Sequence, residues 1–182
     1  MYFGPTAHVL RISLRYVEPE VWRRVTVPSD MPLSKFAKVL EQAMGWAGYH
    51  LHLFDVGGVL FGQPDESTDY VVDEKAAKVS HLLPRSESSL RWDYDFGDSW
   101  EHDVVVEAIE PLDPKVKLPV VLDGARACPP EDVGGVPGYE EFVRALSNPK
   151  SRAHKQMKEW APKGFDPAVF DLLSANRRVR AS

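Results

Sequence analysis

A single cysteine, Cys128, stands among the 182 residues of the chain. One thiol excludes an intramolecular disulfide and any multi-cysteine zinc module, and it fits a reducing compartment. No stretch approaches the roughly 18 uninterrupted apolar residues that a membrane-spanning helix needs. The opening MYFGPTAHVLRISLRY has no basic region leading into a long apolar run, so no secretory signal is expected. These absences predict a soluble, cytoplasmic protein without a membrane partner. The chain also lacks a Walker-type phosphate loop, a GxSxG elbow and an HExxH helix. The letters DFG at Asp95–Gly97 stand without the other kinase loops. Internal repeats and low-complexity tracts are missing as well.

What is present is ordinary for a globular chain: 43% hydrophobic and 27% charged residues, which argues against disorder, collagen or coiled coil. The length suits one domain over 1–182. Fifteen prolines and twelve glycines imply many turns and short elements. Charge is unevenly spread. Residues 150–182 hold eight Lys/Arg against three Asp/Glu, net +5; residues 1–149 hold fourteen against twenty-four, net −10. The acidic body disfavours nucleic acid. Only the basic C-terminal helix, ending in Arg177, Arg178 and Arg180, offers a weak DNA footprint; the same arginines suit a helix C-terminus.

Hydrophobic periodicity sets out the elements. His8–Tyr16 alternates, with His8, Leu10, Ile12, Leu14 and Tyr16 on one face, and predicts a half-buried strand. Val21–Val27 predicts a second strand, antiparallel to the first because the connection is short. Leu33, Phe36, Ala37, Leu40 and Met44 recur at helical spacing and stop at Gly45. His50–Val56, Gly57-Gly58 and VLFG form a hairpin pattern. Residues 62–88 are polar, with one short strand near Tyr70–Val72. Leu90–Phe96 and Trp100–Val106 alternate on either side of Gly97-Asp98-Ser99, the strongest hairpin signal in the chain. This pattern predicts that Trp92, Phe96 and Trp100 are buried. Residues 111–137 predict irregular chain with a strand at Pro119–Leu122. Helices are expected over Tyr139–Leu146, Ser151–Trp160 and Pro167–Arg178. The order predicts an α+β fold: a mostly antiparallel sheet built from hairpins, one helix after the second strand, and a helical C-terminal third.

Several segments carry a family resemblance: EPEVWRRVTVP, LEQAMGW followed by HLHLFDV, YDFGDSWEH, and RACPPEDVGGVPGYEEFV. In this order they resemble the Ri-plasmid ORF-three-like family, from about His8 to Asn176. Some members of that family are labelled TnpR-type resolvase-like proteins of insertion elements. The resemblance implies a compact α+β domain and an association with mobile elements, not an activity. The nucleophilic serine and arginine-rich setting of a serine recombinase cannot be placed in this chain. Many members of the family carry a second cysteine where this chain has Val133, which weakens thiolate ligation or a redox pair with Cys128.

Three constellations can carry chemistry. His50 and His52, two residues apart in a strand, project to one face and can share a divalent metal given further ligands. His102 lies on the apolar face of another predicted strand and is a third metal candidate. Asp95 and Asp98 flank the hairpin turn. Glu131 and Asp132 stand on a loop stiffened by Pro129 and Pro130 and followed by Gly134 and Gly135, suited to holding a cation, to acid–base work or to recognising a basic partner. Structural roles compete at each place. His50 and His52 can flank the core, and His102 can be a core histidine. Gly97 can take a positive φ beside Asp98, Asp132 can cap the Gly134-Gly135 turn, and Glu131 can pair with Arg23, Arg24 or Arg126. The tryptophans Trp22, Trp46, Trp92, Trp100 and Trp160 are expected as core anchors. No complete catalytic constellation emerges. The leading expectation is an interaction or accessory module with a protein partner. A metal-dependent, hydrolase-like enzyme using His50, His52 and the acidic loops is the alternative, and weak nucleic-acid binding by the C-terminal helix a third.

Overall fold

The computed structural model describes residues 4–64 and 70–181. The expected loop over 62–88 therefore includes residues 65–69, which lie outside the described residues. Eight strands form one sheet: β1 (Thr6–Leu14), β2 (Trp22–Pro28), β3 (His52–Val56), β4 (Val59–Gly62), β5 (Val71–Asp73), β6 (Ser89–Tyr94), β7 (Trp100–Pro111) and β8 (Val120–Ala125). Their order is β5-β4-β3-β6-β7-β1-β2-β8. Every pairing is antiparallel except β4 with β5. Among the described residues, five α-helices complete the α+β fold: α1 (Leu33–Met44), α2 (Val79–Leu82), α3 (Gly135–Ser147), α4 (His154–Trp160) and α5 (Leu172–Ala181).

The alternation seen in the sequence becomes burial. His8, Leu10, Ile12 and Leu14 of β1 face the core, as do Val25 and Val27 of β2 and Leu90, Trp92 and Tyr94 of β6. Helix α1 lays Leu33, Phe36, Ala37, Leu40 and Met44 against this face. It ends at Gly45, whose φ of 121° is open to glycine. Helix α5 packs on α1 and on β8.

The alternation fails where the backbone turns. Tyr16 sits at φ 64° and is exposed, so the β1 pattern ends at Leu14. In the β6–β7 hairpin, Asp95 and Ser99 take positive φ, and Gly97 does not. The twist at Asp95 throws Phe96 outward to 51% exposure, correcting the expectation that it is buried. Trp22 is half-buried, with the guanidinium of Arg11 stacked over it, and Trp160 is largely exposed; Trp46, Trp92 and Trp100 are core. Position 23 reverses the usual order: Arg23 points inward with the valines of β2 and is fully buried. Its Nε donates to Ala43 O at 3.0 Å and its Nη1 to Ala125 O at 2.9 Å, so the guanidinium satisfies the last turn of α1 and the start of the 125–130 segment.

Candidate functional site

The antiparallel register of β3 on β6 sets His52 opposite Tyr94, and the ladder continues as Asp95 N–H donates to Leu51 O. His50, two residues before β3, is thereby brought near Asp95, one residue beyond β6. A second chain segment arrives from far away in sequence. Trp46 stacks on Tyr94, ring centroids 4.6 Å apart, and its indole Nε1–H donates to Pro129 O at 3.0 Å. This docks the Pro129-Pro130-Glu131-Asp132 loop over the end of the hairpin. Asp98 ties the loop from the other side, its Oδ2 accepting from Gly134 N–H at 3.0 Å.

Four of the candidate side chains converge. From His50 Nε2, Asp132 Oδ1 lies at 3.2 Å, Asp95 Oδ2 at 3.6 Å and Glu131 Oε2 at 3.8 Å. The donor atoms of His50, Asp95 and Asp132 all fall within 4.8 Å of one another. Two of the carboxylates are held by their other oxygen. Glu131 Oε1 accepts from Ala47 N–H at 2.9 Å and from Tyr94 Oη–H at 3.0 Å. Asp95 Oδ1 accepts from Gly97 N–H at 3.0 Å and from Asp98 N–H at 3.4 Å. Their remaining oxygens are left facing the imidazole. His50 Nε2 and Glu131 Oε2 are buried atoms with no hydrogen-bond partner among the described residues. Such groups are uncommon in native interiors, and here they face each other, and the imidazole faces the two aspartates, at ion-pair range. Burial pushes the Glu131 carboxyl upward, partly offset by its hydrogen bonds from Ala47 and Tyr94. Asp95 is 8% exposed at its side chain and Asp132 68%, so the cluster has a closed back and an open front.

Two of the separations in the cluster fall in the range of a cation shell. With metal–ligand bonds of about 2.1 Å, neighbouring ligands stand about 3.0 Å apart in octahedral and about 3.4 Å in tetrahedral geometry. The observed 3.2 and 3.6 Å separations lie close to these values.

The other anticipated residues go elsewhere. His52 does not join His50, because β3 begins at His52 and His50 lies on the bend before it. Its Nε2 bonds Glu74 Oε2 at 2.7 Å and its Nδ1 faces Glu41 Oε1 at 3.4 Å. Burial pulls the imidazole down, but the bonds and charges of the two glutamates outweigh it and raise it to about 9. His52 is thus an imidazolium locked between two buried acids. His102 is wholly buried, with Nδ1 at 3.1 Å from Trp92 O and its ring against Trp46 and Trp92. Burial lowers it to about 3, so it stays neutral and lies in the core, away from the cluster. Asp98 acts through Gly134 rather than on the cluster. Glu131 meets Tyr94 and Ala47, not an arginine. Gly134-Gly135 is served by Asp98, not Asp132. Sequence reasoning missed Trp46, Tyr94 and Ala47 as the groups that position Glu131. Their only signal was proximity to the helix stop at Gly45 and to the hairpin.

A cleft of about 770 Å³ opens beside the cluster. Glu131, Asp132 and Tyr49 line one end, and Arg23, Lys163 and Arg178 also line it. Arg178, expected on a solvated basic tail, instead turns inward, its Nε donating to Gln42 O at 2.9 Å. Arg177 bonds Ser174 within its own helix. Cys128 also borders the cleft, and burial pushes its thiol well above the ordinary range. Among the described residues, no helix is long and apolar enough to cross a membrane.

An antiparallel α+β sheet carrying a His/Asp/Asp/Glu cluster between a hairpin turn and a PPED loop therefore defines the molecule. The family model described as plasmid pRiA4b ORF-3-like protein matches residues 6–174, and the chain belongs to that family. It is 38% identical over 173 residues to "Uncharacterized protein y4hQ" of Sinorhizobium fredii (strain NBRC 101917 / NGR234), covering 93% of this chain and 89% of that protein. A solved relative is "Crystal Structure of Protein of Unknown Function MM3350 from Methanosarcina mazei Go1". It superposes with a TM-score of 0.85 at 33% identity, covering 93% of this chain and 97% of that one.

Proposed function

We propose that the chain is a metal-dependent enzyme of hydrolytic type, with a divalent cation held by His50, Asp95 and Asp132. The observation that carries this reading is the pair of carboxylate oxygens, Asp95 Oδ2 and Asp132 Oδ1, standing at shell distance from the imidazole nitrogen of His50. Two carboxylates with one imidazole suit a first-row ion such as Mn²⁺, Fe²⁺ or Zn²⁺. Three protein ligands leave coordination positions open for water and substrate. The chemistry such an ion supplies is a bound water that loses its proton near neutral pH. Glu131 is the base in this arrangement, its Oε1 fixed by Tyr94 and Ala47 and its Oε2 free. Glu131 Oε2 would take the proton of a water held at the cluster and return it to the leaving group as the water oxygen bonds to the substrate's electrophilic centre.

Metal analysis of untagged protein, followed by calorimetric titration of Mn²⁺ and Zn²⁺ into chelator-treated protein, tests the reading. Stoichiometric binding lost in His50→Ala and in Asp95→Asn supports it. Absence of binding in the wild type overturns it and leaves the accessory-module reading, which needs no ion.

A further inference from the structure

The two ends of the cleft differ in what their charges are already doing. The acids along its second wall are occupied: Asp171 accepts from Ser174 N–H at 2.9 Å and Oγ–H at 2.6 Å, and Asp166 accepts from Ala168 N–H at 2.9 Å. The charge of Asp171 acts on Arg178, but none of Arg23, Arg178 and Lys163 stands in an ion pair among the described residues. Arg23 bonds four backbone carbonyls, those of Trp22, Ala43, Met44 and Ala125. Arg178 spends its Nε on Gln42 O, and among the described residues its two terminal nitrogens have no hydrogen-bond partner. Lys163 stands exposed at the rim. Two guanidiniums and an ammonium thus border one concavity, with Arg23 wholly and Arg178 half removed from water. A planar guanidinium with free terminal N–H groups is a bidentate partner for phosphate or carboxylate.

We propose that this cleft binds a small organic anion, its phosphate or carboxylate group held by Arg178 and Lys163 and the remainder of the molecule reaching the His50–Asp95–Asp132 cluster. The inference rests on the metal-centre reading for the identity of the far end, but not for the anion end. Size favours a small molecule: about 770 Å³ lies within the few hundred to about 1,000 Å³ typical of small-ligand sites. A polyanion such as DNA is disfavoured because residues 1–149 carry a net charge of −10. Tyr49, exposed and with its ring centroid 5.1 Å from that of His50, offers an aromatic face to an apolar portion of the ligand beside the cluster.

Calorimetric titration with phenyl phosphate and with benzoate, each with and without Mn²⁺, tests the proposal and separates the two anion types. Saturable binding of at least one probe is expected without metal, tightened when Mn²⁺ is present. Lys163→Gln and Arg178→Gln should each weaken it roughly ten- to hundredfold, the range for a charge-assisted hydrogen bond. Arg178→Lys, which keeps the charge, should recover part of the loss. Lys163 is exposed, so its variant remains informative if Arg178→Gln unfolds. Binding of Mn²⁺ with neither anion bound, or anion binding indifferent to both substitutions, overturns this inference while the metal centre stands. Anion binding without Mn²⁺ binding overturns the metal centre and leaves the anion cleft in place.

Discussion

Replacing His52 by glutamine removes the imidazolium that faces two almost wholly buried acids, Glu41 and Glu74. In the folded chain the imidazole is held at about 9, against about 6.5 when unfolded. A raised value means that the native state binds this proton more tightly than the unfolded chain. The stabilisation is therefore fully present below about pH 6.5 and is lost as pH rises through about 9. At about 1.4 kcal/mol per pH unit, the gap corresponds to roughly 3 kcal/mol. The side chain is only 8% exposed, so solvent screens little of this. Urea denaturation at about pH 6 and about pH 9.5 should show the wild type losing about 2–3 kcal/mol between the two. His52→Gln should lose most of that slope and be weaker at pH 6 by about 3–5 kcal/mol, because it strands two buried carboxylates. Equal wild-type stability at both pH values, or an unchanged slope in the variant, would refute the triad as a charged unit.

Other outcomes follow from the same structure. His102, lowered by burial to about 3, contributes stability that is present above about pH 6.5 and drains away as pH falls toward 3; an acid titration followed by near-ultraviolet circular dichroism should show this loss, and His102→Asn should alter it. Trp92→Ala should cost about 3–5 kcal/mol and Phe96→Ala less than about 1 kcal/mol in denaturant unfolding, since Trp92 is fully buried and Phe96 is half exposed. If the chain is the metal-dependent hydrolase proposed above, Glu131→Gln should leave the thermal midpoint within a few degrees and Mn²⁺ binding intact while removing turnover; a large drop in the midpoint would make Glu131 a structural group instead. Gly135→Ala should destabilise the loop, because φ is 66° there and a Cβ would stand 2.6 Å from Asp98 O; a thermal melt unchanged from wild type would contradict that geometry.

The strands, helix α1 and the hairpins were legible in the sequence because their signals are local. Alternation in His8–Leu14 and Leu90–Tyr94, the 3.6-residue spacing from Leu33 to Met44, and the Gly57-Gly58 turn each depend on residues a few positions apart. The HLH run and the PPED loop also stand out in the sequence as candidate segments, and the first histidine of the run meets the acids of that loop. Periodicity could not reveal that Asp95 reverses the pattern, because a positive φ in an aspartate depends on its bonds to Gly97 and Asp98. Nor could it assign partners. His50 and His52 look equivalent in HLH, yet one lies before the strand and meets Asp95 and Asp132, while the other lies in it and meets Glu41 and Glu74. Those partners are brought by the β3–β6 register and by Trp46, whose indole reaches Pro129 across 83 residues. Arg23 and Arg178 are the sharpest case: composition makes both ordinary surface cations, and only the closing of α1, β8 and α5 around them turns them toward one cleft. A side chain's type is local information, but its electrostatic partner is fixed by contacts between segments distant in sequence, and those contacts exist only once the core has packed.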